Sequence, residues 1–266
     1  MEYLKAVILA LVEGITEFLP ISSTGHLILV EDFLHLGDEK FAVAFLVMIQ
    51  LPAILSVLLY FWRELWPMRE GKIQREAVRL WALIVLAFLP AAIIGFLLDD
   101  LIEAWLFNPL TVALALIVGG VLLIILERIT PQPRFETVHD IGWKTALGIG
   151  FAQCLAMIPG TSRSAATIIG AIFLGASRPA AAEFSFFLAI PTLSGAAVFK
   201  LLKNGVDFTP HQMGLLAVGS IVSFLTAYAV IAFLMEYVRK HSFAVFGWYR
   251  IVLGLVVLGV LWLNLA

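Results

Sequence analysis

Cysteine and charge are both scarce in this chain. Cys154 is the single cysteine among 266 residues, which excludes an internal disulfide, a cysteine cluster and a Cys-x-x-Cys redox pair. Asp, Glu, Lys and Arg make up 14% of the residues, whereas a soluble domain has about 25%. No basic tract is present, so we expect no nucleic-acid partner. The net charge of −2 does not indicate any other kind of partner.

Hydrophobic residues account for 62% of the chain, and its mean hydropathy is +1.01. Several apolar runs approach the roughly 20 residues that a helix needs to cross a bilayer. We therefore predict an all-α integral membrane protein with a single membrane domain over residues 1–266. Glu13 and Glu17 follow the first apolar run where a signal peptide would have small residues, so we expect this run to remain in the mature protein.

Two pairs of predicted helices are too short to span. The first pair, 4–18 and 22–34, is separated by Pro20, and the second, 142–158 and 162–176, by Pro159-Gly160. Paired half-helices of this kind are typical of re-entrant hairpins, which are tolerated where protein or water surrounds the elbow. The remaining apolar runs predict six full spans, at about 40–62, 80–98, 109–127, 180–202, 212–234 and 246–264.

The two halves of the chain share a constant spacing. Pro20 and Pro159 lie 139 residues apart (159 − 20), and the same spacing relates three further pairs: Phe45/Phe184, Pro52/Pro191 and Gly120/Gly259. This predicts a duplication, with repeat one at about 1–128 and repeat two at about 140–266. Each repeat has a re-entrant helix hairpin plus three transmembrane helices. Three is odd, so we predict two inverted-topology repeats whose elbows meet at the midplane.

Basic residues predict the orientation. Eleven of them, in the segments 63–79 and 128–144 and at 178, 239 and 240, fall on one side of the predicted membrane, and four fall on the other. Because cytoplasmic loops are rich in Lys and Arg, the first side should be cytoplasmic. Both termini are then predicted to lie outside.

Two carboxylates lie in the helix that leads into the first elbow, the turn at Pro20 between the first pair of short helices. Glu13 and Glu17 are four residues apart, so they share one helix face. In a low-dielectric setting they would repel, and one would take a proton unless a cation lay between them. A hard divalent cation with oxygen ligands, Mg²⁺ or Ca²⁺, fits this pair best. The alternative is a helix face that touches water at the membrane edge.

Hydroxyls and an arginine predict an anion site. Ser22, Ser23 and Thr24 start the returning helix, where simple N-capping is the alternative function. A helix N-terminus attracts anions, and the second elbow, Gly160–Ser164, supplies another such end. Arg163 lies within that elbow, so we predict a phosphate or diphosphate pocket. A structural ion pair is the alternative for Arg163.

Other polar side chains complete the predicted site. His26 lies one turn after Ser22 and could exchange a proton there, although a satisfied buried imidazole is the alternative. Gln50 lies in the predicted span 40–62, which Gln50 and Pro52 interrupt, and its amide could hydrogen-bond the elbows. The remaining predicted substrate-binding residues belong to the two elbows and their returning helices: Ser22, Thr24, Gly25, Gly160, Thr161, Ser162, Ser164 and Thr167.

Three motifs, Glu13-x-x-x-Glu17, Leu19-Pro-x-Ser-Ser-Thr-Gly-His26 and Pro159-Gly-x-Ser-Arg-Ser164, resemble those of the undecaprenyl-diphosphatase family, the bacitracin-resistance proteins. The similarity extends over essentially the whole chain. It implies an enzyme of the bacterial inner membrane that removes one phosphate from undecaprenyl diphosphate and recycles the carrier for cell-wall synthesis. It also implies that Glu13, Glu17, Ser23, His26 and Arg163 carry the activity. Ala165 is a departure, since many relatives have glycine there.

Two questions stay open at this stage. Ser23 could be the nucleophile, with Glu17 or His26 as its proton partner, or an activated water could attack instead. A secondary transporter or polyprenyl-phosphate flippase with a midplane anion site is the rival function, because inverted repeats with broken helices are common in transporters. The expected partners are a polyprenyl diphosphate lipid and the bilayer, and a homodimer is left open.

Overall fold

The computed structural model describes residues 1–69, 71–129, 132–204 and 208–265, and these are almost entirely helical. The helices are α1 (Glu2–Thr16), α2 (Ser23–Leu34), α3 (Glu39–Tyr60), α4 (Trp62–Leu65), α5 (Arg75–Leu106), α6 (Pro109–Ile129), α7 (Trp143–Gln153), α8 (Arg163–Phe173), α9 (Arg178–Asn204), α10 (Pro210–Lys240) and α11 (Ala244–Leu265). Short 3₁₀ turns cover Val138–Asp140 and Cys154–Met157. Strands β1 (Met68–Arg69) and β2 (Lys72–Ile73) form a small antiparallel hairpin between α4 and α5.

Among the described residues, six helices are long and apolar enough to cross a membrane, namely α3, α5, α6, α9, α10 and α11. The prediction of an all-α membrane protein with six spans is thereby confirmed. Most helix ends lie within a few residues of their predicted positions. Helix α5 differs, because it extends well beyond the predicted 80–98 at both ends. Those extensions carry charged residues that an apolar run does not include.

Pro52 and Pro191 lie inside α3 and α9, yet both helices continue through them. Pro90 likewise lies inside α5. A proline in a helix removes one backbone hydrogen bond and crowds the preceding turn. In these long helices the remaining hydrogen bonds and the packing around them keep the helix continuous.

The short helices α1 and α7 each lie against a long one at a glycine. A Cβ on Gly14 of α1 would come within 2.9 Å of the Ser223 carbonyl oxygen of α10. A Cβ on Gly150 of α7 would overlap the Ala87 carbonyl oxygen of α5. Only glycine allows helix backbones to approach this closely. These contacts fix the positions of the chain segments that follow α1 and α7, and those segments carry the two elbows.

Aromatic side chains form the core beside the first elbow. Phe18, immediately after α1, is fully buried and packs edge-on against Phe186 of α9, with 5.4 Å between ring centroids. Phe61 packs against Phe187 in the same way at 5.0 Å. Large apolar side chains cover much of the exposed surface, among them Phe96, Trp105, Phe173 and Leu202. Such a surface suits contact with lipid rather than water.

Candidate active site

The two elbows have the same backbone geometry. Ser22 and Ser162 both have positive φ angles, 73° and 71°, which cost a residue with a side chain about 1–2 kcal/mol. Each serine directly precedes a short helix and caps it. The Oγ of Ser22 accepts a hydrogen bond from the Gly25 N–H at 3.3 Å, and that of Ser162 accepts one from the Ala165 N–H at 3.2 Å. Helix capping, which was the alternative considered for Ser22, is therefore present.

Side chains of the second elbow bind the first elbow directly. Arg163 donates from Nη2 to Oε1 of Glu17 at 3.0 Å, and both side chains are largely buried. The hydroxyl of Ser164 donates to the Leu19 carbonyl at 2.8 Å. The two polar segments that lie far apart in sequence therefore form one cluster.

Glu17 is the centre of this cluster. Its other oxygen, Oε2, accepts a short hydrogen bond of 2.6 Å from the hydroxyl of Ser23. Arg163 is held from behind, because its Nη1 donates to the Ser185 carbonyl at 2.8 Å. The Thr167 hydroxyl lies 2.7 Å from the Ser185 hydroxyl and fixes that side chain in turn. One carboxylate thus contacts a hydroxyl and a guanidinium from different elbows.

Glu13 lies one turn before Glu17 and is fully buried. Neither of its carboxylate oxygens has a hydrogen-bond partner among the described residues. A buried carboxylate without a donor is costly unless it is protonated or bound to a cation. Among the described residues no group of three or more His, Cys, Asp or Glu is placed to hold a metal ion. Two carboxylates still fit Mg²⁺, which usually takes one or two of them and completes its shell with phosphate oxygens and water.

A cavity of about 420 Å³ opens beside Glu17. Its polar wall contains Glu17, Ser22, Ser23, Thr24, Gln50, Gln153, Gly160, Ser162, Arg163 and Thr192. Its apolar wall is formed mainly by α5 and α9, with Phe88, Ala91, Ala92, Gly95, Phe96, Leu193, Gly195, Ala196 and Phe199. The cavity therefore matches an amphiphile with a polar head and an apolar chain.

Not all predicted site residues line this cavity. Glu13, Gly25, His26, Thr161, Ser164 and Thr167 do not. Gly25 contributes its N–H to the Ser22 cap, while Ser164 and Thr167 hold the second elbow and Arg163. The ring of His26 contacts Tyr249 of α11. Glu13 lies behind Glu17 in the protein interior.

Gln153 and Thr192 line the cavity, although our sequence analysis did not select them. Gln153 is buried, and its Oε1 accepts a hydrogen bond from the Thr192 hydroxyl at 3.2 Å. Its Nε2 has no partner within the part of the chain that the structure describes. It is an amide within an otherwise apolar predicted helix, the same signal that selected Gln50. Applied consistently, that signal would have found it.

Arg250 of α11 is a third residue that the sequence did not indicate. It is fully buried and donates to the carbonyl oxygens of Pro20 in the first elbow at 3.3 Å and Gly160 in the second at 3.1 Å. It also donates to Ala115 and Leu116 of α6. A Cβ on Gly119 would overlap its guanidinium, so that glycine makes room for it. Arg250 thus joins both elbows and adds a positive charge behind them.

Comparisons with known proteins match nearly the whole length of the chain. The family described as "Bacitracin resistance protein BacA" matches residues 6–256. The chain is 52% identical over 262 residues to Undecaprenyl-diphosphatase 1 of Clostridioides difficile (strain 630), covering 97% of this chain and 96% of the relative. It is 50% identical over 266 residues to the undecaprenyl-diphosphatase of Enterococcus faecalis, with 97% and 96% coverage. The undecaprenyl-diphosphatase of Pseudomonas aeruginosa (strain UCBPP-PA14) is 51% identical over 255 residues, with 96% and 92% coverage. The chain therefore belongs to the bacitracin resistance protein BacA family.

Proposed function

We propose that this multi-pass protein of the bacterial inner membrane hydrolyses undecaprenyl diphosphate to undecaprenyl phosphate and inorganic phosphate. This reaction recycles the lipid carrier for peptidoglycan synthesis and gives bacitracin resistance. The observation that carries the proposal is the cluster of Glu17, Ser23 and Arg163 at the polar end of an amphiphilic cavity. The names of the relatives supply the identity of the lipid.

Ser23 is the proposed nucleophile. Its hydroxyl already donates to Glu17 at 2.6 Å, so Glu17 takes the proton as the oxygen attacks the terminal phosphorus. The bond from that phosphorus to the bridging oxygen breaks, and undecaprenyl phosphate leaves. Glu17 passes its proton to the departing undecaprenyl phosphate and is then a base again. Water attacks the phosphoserine, and Glu17 accepts a proton from the water. Glu17 gives this proton to the Ser23 oxygen as the bond from that oxygen to phosphorus breaks, and inorganic phosphate is released. The alternative route has one step, in which a water oriented by Glu17 attacks the phosphorus directly.

The transferring phosphoryl group carries negative charge, which hydrogen-bond donors from both elbows would stabilise. Arg163 lines the cavity and is fixed by Glu17 and Ser185. The N-termini of α2 and α8 both start at this cavity, at Ser23 and Arg163. Helix N-termini bind phosphate through free N–H groups and the positive end of the helix dipole. Pre-organised donors of this kind are the main source of catalysis in phosphoryl transfer.

Glu13 and Glu17 are the proposed ligands for a divalent cation, Mg²⁺ or Ca²⁺. The support is the pair of unpartnered oxygens on the buried Glu13, one turn from Glu17. When bound, the cation neutralises diphosphate oxygens and lowers the cost of bringing an anionic head group to these carboxylates.

The isoprenoid chain would follow the apolar wall between α5 and α9. Phe96 and Phe199 meet edge to face at 6.3 Å between centroids, and Phe96 is 75% exposed. This rim lies at the same ends of α5 and α9 as the ion pair of Asp100 with Lys203. The basic-residue bias supports an outward orientation for these ends. We therefore propose an outward-opening cavity, with both termini outside.

Two inverted repeats, each with a re-entrant hairpin, remain our proposed architecture. The matched φ angles of Ser22 and Ser162 support it, as do the caps at Asp38 and Ser177, which both accept from the N–H three residues on. The packing of α6 on α11 changes one proposed pair. Gly120 approaches the Gly247 carbonyl, and Gly254 approaches the Ala113 carbonyl, whereas a Cβ on Gly259 would meet nothing within 4 Å. Gly254 is therefore a better match for Gly120 than Gly259.

Phosphate release by purified protein in detergent tests the function, because no second compartment exists there. We expect one inorganic phosphate per undecaprenyl diphosphate consumed. A protein that binds the lipid but releases no phosphate would instead be a transporter or flippase, and the proposed function would be wrong.

A further inference from the structure

His26 and Tyr249 form a pair that the sequence does not predict. The His26 Nε2 lies 2.6 Å from the Tyr249 hydroxyl, and the two rings stack at 5.5 Å between centroids, 6° from parallel. Tyr249 belongs to α11, next to the elbow-joining Arg250. His26 is not among the residues that line the cavity. The imidazole therefore faces α11 rather than the diphosphate site.

The partners of His26 determine its tautomer. Its Nδ1 lies 2.7 Å from the Ser22 carbonyl oxygen, which can only accept. Nδ1 consequently carries the hydrogen, and in the neutral ring Nε2 is the acceptor of the Tyr249 hydroxyl hydrogen. Both ring nitrogens are then occupied by protein atoms. Neither is free to take a proton from Ser23.

A comparison of the two elbows explains why the His26 imidazole is needed in the first. There the Ser162 carbonyl accepts the backbone N–H of Ala166 at 3.0 Å. In the first elbow the corresponding bond, from the His26 N–H to the Ser22 carbonyl, is 3.4 Å. The His26 side chain supplies a second and shorter hydrogen bond to that carbonyl. It thereby holds Ser22 in the left-handed conformation that otherwise favours glycine.

We propose that His26 is a positioning residue and that Tyr249 is its orienting partner. The chain of hydrogen bonds from Tyr249 through His26 to the Ser22 carbonyl fixes the peptide that leads into Ser23. This keeps the Ser23 hydroxyl within reach of Glu17. The inference rests on the proposed phosphatase function, and it assigns the proton transfer to Glu17 alone.

Two substitutions at His26 separate positioning from proton transfer. In His26→Asn the amide nitrogen takes the place of Nδ1 and can donate to the Ser22 carbonyl, but it cannot carry a proton. His26→Leu has a similar shape and no donor. We expect kcat of the Asn variant to stay within about tenfold of the parent, and that of the Leu variant to fall at least about 100-fold, with KM nearly unchanged in both. Equal losses in the two variants, with both proteins folded, would overturn the inference.

Tyr249→Phe tests the hydrogen bond between the Tyr249 hydroxyl and the His26 ring. We expect a loss of about three- to tenfold in kcat, in keeping with one missing hydrogen bond, and no further loss when it is combined with His26→Asn. Tyr228→Phe is the control, since that tyrosine on α10 is 39% exposed against 46% for Tyr249, and it should have parental turnover. The same loss from Tyr249→Phe in both backgrounds would contradict the pairing.

A readout without turnover keeps the inference separate from the proposed function. The ¹⁵N chemical shifts of the His26 ring should report the Nδ1–H tautomer, with an Nε2 shift that changes in Tyr249→Phe. An Nε2–H tautomer, or no change in the variant, would overturn the inference even if the protein turned out to have another activity. A parent protein that releases no phosphate would refute only the proposed function.

Discussion

Ser23→Ala separates a nucleophile from a ligand. In the structure the Ser23 hydroxyl makes one short hydrogen bond, to Glu17 at 2.6 Å. If this hydroxyl only binds substrate or holds Glu17, its loss costs one hydrogen bond to a charged group, about 1.5–3 kcal/mol. That corresponds to roughly 10- to 150-fold in rate. If the oxygen attacks phosphorus, the substitution removes a covalent step, and we expect a loss of about 10³-fold or more in kcat.

Ser22→Ala is the matched control for this measurement. The Ser22 hydroxyl also lines the cavity, but its hydrogen bond is the 3.3 Å helix cap with Gly25. Losing that cap should cost about 1 kcal/mol, so we expect less than about tenfold in kcat. Phosphate release under single turnover gives both numbers. A Ser23→Ala variant that keeps a tenth of the parental rate would refute the nucleophile and favour attack by water.

Three further predictions address the cation, the head-group site and the topology. Glu13→Gln should raise the Mg²⁺ concentration for half-maximal turnover at least about tenfold, since one of two carboxylate ligands is lost; an unchanged requirement would remove Glu13 from the cation site. Gln153→Leu removes the cavity-wall amide whose Nε2 has no partner among the described residues and should raise KM about tenfold with kcat nearly constant; an unchanged KM would show that the amide does not contact substrate. In a variant without the native cysteine, Lys72→Cys should be labelled only from the cytoplasmic side and Asp100→Cys only from outside. Labelling of both from one side would contradict the proposed orientation.

The helices could be predicted from sequence because lipid imposes a simple condition on composition. A span needs about 20 apolar residues, so its position follows from hydropathy alone. The charged ends of α5 were not predicted because they lie beyond the apolar run, where hydropathy gives no signal for a helix. The hairpin of β1 and β2 was missed for a related reason, since two-residue strands leave no periodic pattern.

The clustering of the two elbows was also predictable, because ionisable residues are rare within apolar segments. The contact between Glu17 and Arg163 agrees with that expectation, and with the ion pair we considered for Arg163. The directions of the side chains were not predictable. They depend on the positive φ of Ser22, which turns Ser23 toward the cavity while His26 faces α11.

The role of Arg250 could not be predicted from the sequence. Its partners are backbone carbonyls in both elbows and in α6, and every residue has such a carbonyl. A sequence therefore contains no complementary charge to search for. Only the three-dimensional meeting of the elbows reveals why this buried cation is needed.

A double-mutant cycle tests most directly whether the two elbows form one catalytic unit. Ser23 and Arg163 come from different elbows and share Glu17 as a partner. Alone, we expect Ser23→Ala to lower kcat about 10³-fold and Arg163→Lys about 10²-fold, measured as phosphate release from undecaprenyl diphosphate in detergent. Residues that act as a unit are strongly non-additive, so the double variant should lie within about tenfold of Ser23→Ala. A double variant about 10⁵-fold below the parent would mean that the two side chains act independently, and it would contradict a single site built from both elbows.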